Sequence, residues 1–233
     1  KKVYFVTGID TDAGKSIVTG VLARDWAGRG RRVVTQKFIQ TGCPGLSEDI
    51  ETHRRIMGTG LLPEDLDGTT CPIVFTYPAS PHLAAAIDSR RIDLLLIGKC
   101  TEKLLEKYDV VLLEGAGGLF VPLEGLYNTI DYVAERRLPD ILVTSPLGSI
   151  NHTLLSLEAC RNRNIEVAKV VYNLYPPTDA PITDGTRDYL KTYLREFHPQ
   201  ARWLEVNDRY ELSEEAFELR FIPRTNNTKG SGC

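Results

Sequence analysis

The sequence predicts a doubly wound α/β fold, a mostly parallel sheet with helices on both faces, and two patterns carry the prediction. Five short runs, residues 3–7, 32–36, 110–113, 141–144 and 167–172, are rich in β-branched and aliphatic side chains and largely continuous rather than alternating. Strands covered on both faces read this way. Helix-length segments separate most of the runs, which is the rhythm of successive β-α-β units.

In chain order, the first run leads into Gly8, and the segment after it carries Ile17, Val18, Val21, Leu22 and Trp26 at helical spacing. A helix therefore starts near Lys15 with that stripe buried, and Gly28 and Gly30 end it. Residues 47–57 read as a second helix. Residues 61–72 contain Gly, Pro and acids without a period, so they form a long connection of the kind that often serves function. Ser80-Pro81-His82 fits a helix start, with serine capping and proline in the first turn. Residues 93–107 repeat the helical pattern with Leu94, Ile97, Leu104 and Leu105, continued by Tyr108, and residues 183–197 are a more polar helix candidate. The apolar stripes are core. Residues 225–233 are polar and Gly-Ser-rich, so we expect one α/β domain over 1–224 followed by an unstructured or appended tail.

Composition narrows the function classes. With 233 residues and a net charge of −3, the chain carries no basic block of the sort that neutralises nucleic-acid phosphates or docks on anionic lipid. No run approaches the roughly 18 apolar residues of a membrane span, and Lys1-Lys2 leads into a short strand-like run rather than a signal-peptide core. We therefore expect neither nucleic-acid nor membrane partners. The five cysteines, Cys43, Cys71, Cys100, Cys160 and Cys233, lack the paired spacing of a zinc site or a disulfide frame, which points to reduced thiols and a cytoplasmic setting. In that setting Asn151-His152-Thr153 and Asn226-Asn227-Thr228 match the glycosylation pattern by chance.

The strongest chemical signal is Gly8-Ile9-Asp10-Thr11-Asp12-Ala13-Gly14-Lys15-Ser16, set between the first strand and the first helix. Glycines let the backbone fold back so that successive amides point at phosphate oxygens, and the helix N-terminus adds roughly half a positive charge. Lys15 would reach the outer phosphates and Ser16 would hold magnesium. Five residues separate Gly8 from Gly14 where the common pattern has four, so this is a variant phosphate loop, and the sheet is expected to be of the P-loop NTPase type. Such a loop says that a nucleoside triphosphate is bound and leaves the reaction open.

In an open parallel sheet ligands collect beyond the carboxyl ends of the strands. The second run leads to Lys37 and then Thr41-Gly42, a cation and a hydroxyl beside the phosphates. The third ends in Glu114-Gly115-Ala116-Gly117-Gly118, a carboxylate followed by a loop of little bulk. Magnesium needs one or two carboxylates beside phosphate oxygens, so Glu114 with Ser16 suffices. Glu48-Asp49 could add a second carboxylate, although on the residues alone helix capping is the better account. His53, His152 and His198 have no complementary metal spacing and are given no chemistry.

Together these motifs resemble dethiobiotin synthetase, over roughly residues 3–176. The family pattern V-T-G-x-D-T-x-x-G-K-T is matched by residues 6–16, with the same five-residue spacing. In order follow Lys37 with Thr41-Gly42, Ser80-Pro81-His82, Glu114 to Gly118, and Gly148-Ser149-Ile150-Asn151-His152. The resemblance implies a ligase that uses ATP and magnesium to convert 7,8-diaminononanoate and CO2 into dethiobiotin. It implies Lys37, Lys15 and Thr11 as the catalytic set, and Ser16, Asp49 and Glu114 as the magnesium set, which reverses the capping account of Asp49. Nucleotide contacts would come from Gly8, Asp12, Ala13, Gly14, Lys15, Ser16, Ile17, Asp49, Glu114, Gly115, Ala116, Gly117 and Asn173, the last either an adenine contact or a plain strand-end turn residue. Substrate contacts would come from Thr11, Lys37, Thr41 and Gly118, with Ser149, Ile150 and Asn151 receiving the distant carboxylate across a homodimer interface.

Three positions depart from the family: Asp12 for glutamate, Phe38 for proline and Thr41 for serine, all expected near the substrate. The Gly-x-hydrophobic-Pro stretch that helps hold the base is replaced by Trp203-Leu204-Glu205-Val206-Asn207. Two other classes share the sheet and a variant loop. A partitioning-type switch ATPase usually carries an extra lysine near the start of its loop, where this chain has Ile9-Asp10. A cobyrinate-type amide synthase commonly brings a glutaminase domain, for which the 233 residues leave no length.

Overall fold

The computed structural model describes residues 1–214. The expected tail over 225–233, with its glycosylation match and Cys233, lies outside the described residues, as do residues 215–224 of the expected domain.

The chain runs through β1 (Lys2–Gly8), a short 3-10 turn (Thr11–Ala13), α1 (Lys15–Gly28), β2 (Val33–Lys37), α2 (Glu48–Met57), α3 (Pro63–Leu66), α4 (Pro81–Ile87), α5 (Leu94–Lys107) and β3 (Val110–Glu114). It continues through a small hairpin, β4 (Pro122–Glu124) and β5 (Tyr127–Asn128), then α6 (Thr129–Glu135), β6 (Asp140–Thr144), α7 (Ser149–Asn162), β7 (Val167–Asn173), α8 (Ala180–Phe197), β8 (Arg202–Val206) and β9 (Leu212–Glu214). Among the described residues the main sheet has the order β2-β3-β1-β6-β7-β8-β9, parallel except for β9, which pairs antiparallel with β8.

Alternation along the strands feeds two cores. Phe5, Leu113, Leu142, Val170 and Trp203 point to one face and pack with Ile97 of α5, Val133 of α6, Leu157 of α7 and Leu190 of α8. Their neighbours Val6, Leu112, Ile141, Val171 and Leu204 point to the other, against Val18, Val21 and Leu22 of α1 and Ile56 of α2. Strands apolar on both faces are the reason the continuous runs were legible. Chain direction across the sheet reverses at β1, which sits between β3 and β6, so the crevice at its carboxyl end is where ligands collect in such folds.

Several boundaries differ from the sequence reading. The second strand runs one residue further, so Lys37 is its last residue and pairs in register with Glu114. The last helix begins at Ala180, three residues before the expected start, because Pro181 sits comfortably in its first turn. β8 and β9 were not anticipated. Glu205 interrupts the apolar character of β8, but it accepts from Trp203 Nε1 at 2.7 Å and pairs with Arg187. Residues 61–72 are held firmly: Arg54 of α2 forks onto Asp65 with two bonds of 2.8 Å, and the Lys37 amide donates to the Thr70 carbonyl. Ser80 does not cap α4 with its side chain; its hydroxyl lies 3.1 Å from His82 Nδ1 instead. Phe38, expected near the substrate, is wholly buried between Phe5 and Tyr132, because residue 38 continues the inward-facing side of the sheet. No described helix is long and apolar enough to cross a membrane.

Candidate active site

The phosphate loop is shaped by contacts that leave no room for side chains. At Gly14 the backbone is left-handed (φ +88°), and a Cβ there would lie 2.2 Å from Asn173 Nδ2. At Gly8 a Cβ would lie 2.9 Å from the Asp10 carbonyl oxygen. Asp10 closes the turn by accepting from the Thr11 amide at 2.7 Å. Gly14 then opens α1 without a side-chain cap, so the first amides of that helix face the cavity side of the loop with no side-chain acceptor. Lys15 crosses back over the loop and donates to the carbonyls of Asp10 and Thr11 at 2.9 and 3.0 Å. Burial lowers its ammonium to about 8, with Lys37 adding to the effect and Glu114 and Asp49 opposing it.

Four further side chains meet beside Ser16. Its hydroxyl lies 2.8 Å from Asp49 Oδ1 and 2.9 Å from Glu114 Oε1. Lys37 Nζ bridges the same carboxylates, 2.5 Å from Asp49 Oδ2 and 2.8 Å from Glu114 Oε1, and donates to the Gly115 carbonyl at 3.1 Å. His53 Nε2 takes the other oxygen of Glu114 at 2.7 Å. Burial on its own would raise the Glu114 carboxyl, but Lys37 and His53 outweigh it and hold it well below the usual carboxylate range. Burial would likewise lower Lys37, and Glu114 with Asp49 reverses that and raises it.

Local structure explains the meeting. Lys37 and Glu114 are register partners at the ends of adjacent parallel strands. Asp49 arrives because α2 packs closely on α1 at Gly20, where a Cβ would already touch Ile56 at 3.0 Å. Ser47 performs the capping of α2, its hydroxyl accepting from the Ile50 amide, which leaves the Asp49 carboxylate free to turn toward Ser16. The capping account of Asp49 is thereby corrected.

Two carboxylates and a hydroxyl, all hard oxygen donors, fit a cation that completes its shell with phosphate and water. Among the described residues no group of three or more His, Cys, Asp or Glu side chains is disposed to hold a metal ion, so a cation here would depend on the Ser16 hydroxyl, phosphate and water beside the two carboxylates. Lys15, Ser16, Lys37, Asp49 and Glu114 border a cavity of about 680 Å3, a volume suited to a nucleotide-sized ligand, with His53 buried behind them.

Comparisons with known proteins show the family. A family model described as an AAA domain matches residues 2–210. The ATP-dependent dethiobiotin synthetase BioD 2 of Pasteurella multocida is 53% identical over 208 residues, covering 89% of this chain and 97% of that protein. That of Haemophilus influenzae is 57% identical over 179 residues, 76% of this chain and 94% of its own length. The chain belongs to the dethiobiotin synthetase family. ATP-dependent dethiobiotin synthetase BioD of Chlorobaculum tepidum, 51% identical over 197 residues, covers 84% of this chain and is itself covered to 82%. At the level of fold alone, the solved structure of cell division protein ftsY from Thermotoga maritima superposes with a TM-score of 0.52 at 14% identity, over 92% of this chain and 65% of that one.

Of the positions that the dethiobiotin synthetase motifs single out, Thr11, Asp12, Gly14, Lys15, Ser16, Ile17, Lys37, Thr41, Asp49, Glu114, Ala116, Gly117 and Asn173 border the one cavity. Gly8, Ala13 and Gly115 shape its backbone from behind. Asn173 Nδ2 donates to the carbonyls of Ala13 and Tyr175, and Asn173 Oδ1 accepts from the Tyr175 amide, so its amide ties the loop to the turn after β7. Gly118 faces a neighbouring groove with Phe120, His152 and Leu155. Ser149, Ile150 and Asn151 open α7 outside the main cavity, and the Ser149 hydroxyl is buried there without a hydrogen-bond partner.

Sequence reasoning missed Gln40, Tyr175, Asn207, Asp208 and Tyr210, which line the cavity. The last three sit on the β8–β9 turn, held by Asn207 Oδ1 accepting from the amides of Arg209 and Glu211. It also missed His53; the available signal was its position one helical turn after Asp49 on α2.

Proposed function

We propose that this chain closes the ureido ring of dethiobiotin from 7,8-diaminononanoate, CO2 and ATP, with magnesium held by Ser16, Asp49 and Glu114. The observation that carries the reading is the convergence of Lys15, Lys37, Ser16, Asp49 and Glu114 within one cavity at the carboxyl end of β1 in a dethiobiotin synthetase chain.

One substrate amine adds to CO2 and gives a carbamate, whose oxygen attacks the γ-phosphorus and releases ADP. The second amine then attacks the carbonyl carbon of the carbamic-phosphoric anhydride, expels phosphate and closes the ring. Both steps build negative charge on oxygen, so Lys15 and Lys37 contribute chiefly by neutralising it in a site already organised for charge. Ser16, Asp49 and Glu114 would hold magnesium, which would supply further neutralisation of phosphate charge. Thr11 and Thr41, whose side chains border the same cavity, orient the carbamate end. The distant carboxylate is received by the amides of Ser149, Ile150 and Asn151 from a second copy of the chain. The exposed apolar side chains Phe120, Leu147 and Leu155 near Gly118 and α7 support such a homodimer.

The deciding experiment mixes protein, magnesium, ATP, 14C-bicarbonate and the diamine and looks for labelled ureide. Labelled dethiobiotin with one ADP per ring supports the reading. ATP hydrolysis indifferent to the diamine, without labelled product, overturns it in favour of a nucleotide switch.

A further inference from the structure

Glu114 uses its two oxygens differently. Oε1 accepts from Ser16 Oγ and Lys37 Nζ, while Oε2 meets only the ring of His53, at 2.7 Å, among the described contacts. His53 and Glu114 are both wholly buried. His53 follows Asp49 by one turn of α2, so a single helix face delivers one carboxylate of the site and the group that grips the other. Behind the ring, Nδ1 lies 3.0 Å from Thr35 Oγ1, which accepts from Arg54 NH1 at 2.9 Å. The Glu114 carboxylate can only accept, which requires a ring proton on Nε2, and the Thr35 hydroxyl can donate to Nδ1 behind it. Arg54 is in turn fixed by its fork onto Asp65. A buried chain Asp65–Arg54–Thr35–His53–Glu114 thus connects the 61–72 connection to the site.

We propose that His53 is a positioning residue for the divalent cation: it holds Glu114 Oε2, so that Oε1 is presented to Ser16 and Lys37 and the cation-binding oxygens stay in one arrangement. The inference rests on the reading that Ser16, Asp49 and Glu114 hold the metal. Outer partners of a ligating group tune its orientation, and their loss costs about 10–100-fold in metal affinity.

Mn2+ is the probe, its binding followed by electron paramagnetic resonance with a non-hydrolysable ATP analogue present. His53→Leu is expected to weaken Mn2+ binding about 10–100-fold, His53→Gln to regain much of it through its amide donor, and the KM for the diamine to move less than the Mn2+ constant. A folded His53→Leu protein that binds Mn2+ as tightly as wild type overturns the proposal. Should that variant not fold, Thr35→Val, which removes the hydroxyl behind the ring, decides in the same way: weakened Mn2+ supports the role, unchanged Mn2+ overturns it. Glu114→Gln separates the two levels. If it too keeps wild-type Mn2+ affinity, the cation site itself is misassigned; if it loses Mn2+ while His53→Leu does not, only the role of His53 fails.

Discussion

Lys37 Nζ lies 2.8 Å from Glu114 Oε1 across neighbouring parallel strands, and both side chains are shut away from solvent. A buried pair of this kind does two things at once: it keeps the carboxylate charged, and it holds an ammonium ready for oxyanion charge. Lys37→Ala should therefore lower turnover about 100-fold or more, as expected for loss of a transition-state donor. It should also cost about 3–5 kcal/mol of stability by leaving Glu114 without its counter-charge. Steady-state ring closure and thermal melting read the two effects, and a variant that melts early yet turns over normally would leave Lys37 with a structural role only.

Ser16 touches both carboxylates of the site through one hydroxyl. Ser16→Ala should raise the magnesium concentration needed for half-maximal rate, while the diamine KM changes little. Magnesium and diamine titrations of the same preparation distinguish this from general damage to the site.

Gly14 and Asn173 interlock. Gly14→Ala should abolish measurable ATP binding, since the new methyl group would overlap Asn173 Nδ2 and the left-handed backbone costs a further ~1–2 kcal/mol. The pair Gly14→Ala with Asn173→Ala removes the overlap and keeps the backbone strain, so calorimetry should show part of the nucleotide affinity returning.

Asp140 gives a pH signature away from the site. It is wholly buried at the start of β6, neither oxygen makes a hydrogen bond of ordinary geometry, and burial raises its carboxyl well above the ordinary range against the weaker opposing pull of the Ile141 amide. The folded chain therefore keeps a proton that the unfolded chain releases near pH ~3.9. The contribution is fully present below that pH and is lost as pH rises toward the folded value, at up to about 1.4 kcal/mol per pH unit. Asp140→Asn should melt at a higher temperature than wild type at pH 7 and show a flatter pH dependence above pH 4; coincident profiles for the two proteins would refute this.

Much of the fold was legible because five strands are apolar on both faces and the loop lies between one of them and an obvious helix. β8 was hidden by Glu205, whose partners Trp203 and Arg187 become visible only when α8 packs beside the strand. The strand-tip rule pointed to Lys37 and Glu114, which the fold sets side by side as register partners. The family resemblance placed Phe38 near the substrate, whereas one residue beyond the strand end its side chain still follows the inward-facing alternation into the core. His53 was set aside because no second histidine or cysteine stands at a ligand spacing. Its partner is a carboxylate 61 positions later in the chain, a relation that only strand register and helix packing create.

The strand carrying the phosphate loop lies between β3 and β6, so neither of its neighbours exists until synthesis has passed residue 110 on one side and residue 140 on the other. A chain emerging from the ribosome displays the nucleotide signature long before any of it can grip a nucleotide. Loop closure over more than a hundred residues must come first, and such long-range pairing is slow. Capacity to bind ATP during translation would accordingly report that the sheet has closed around its first strand.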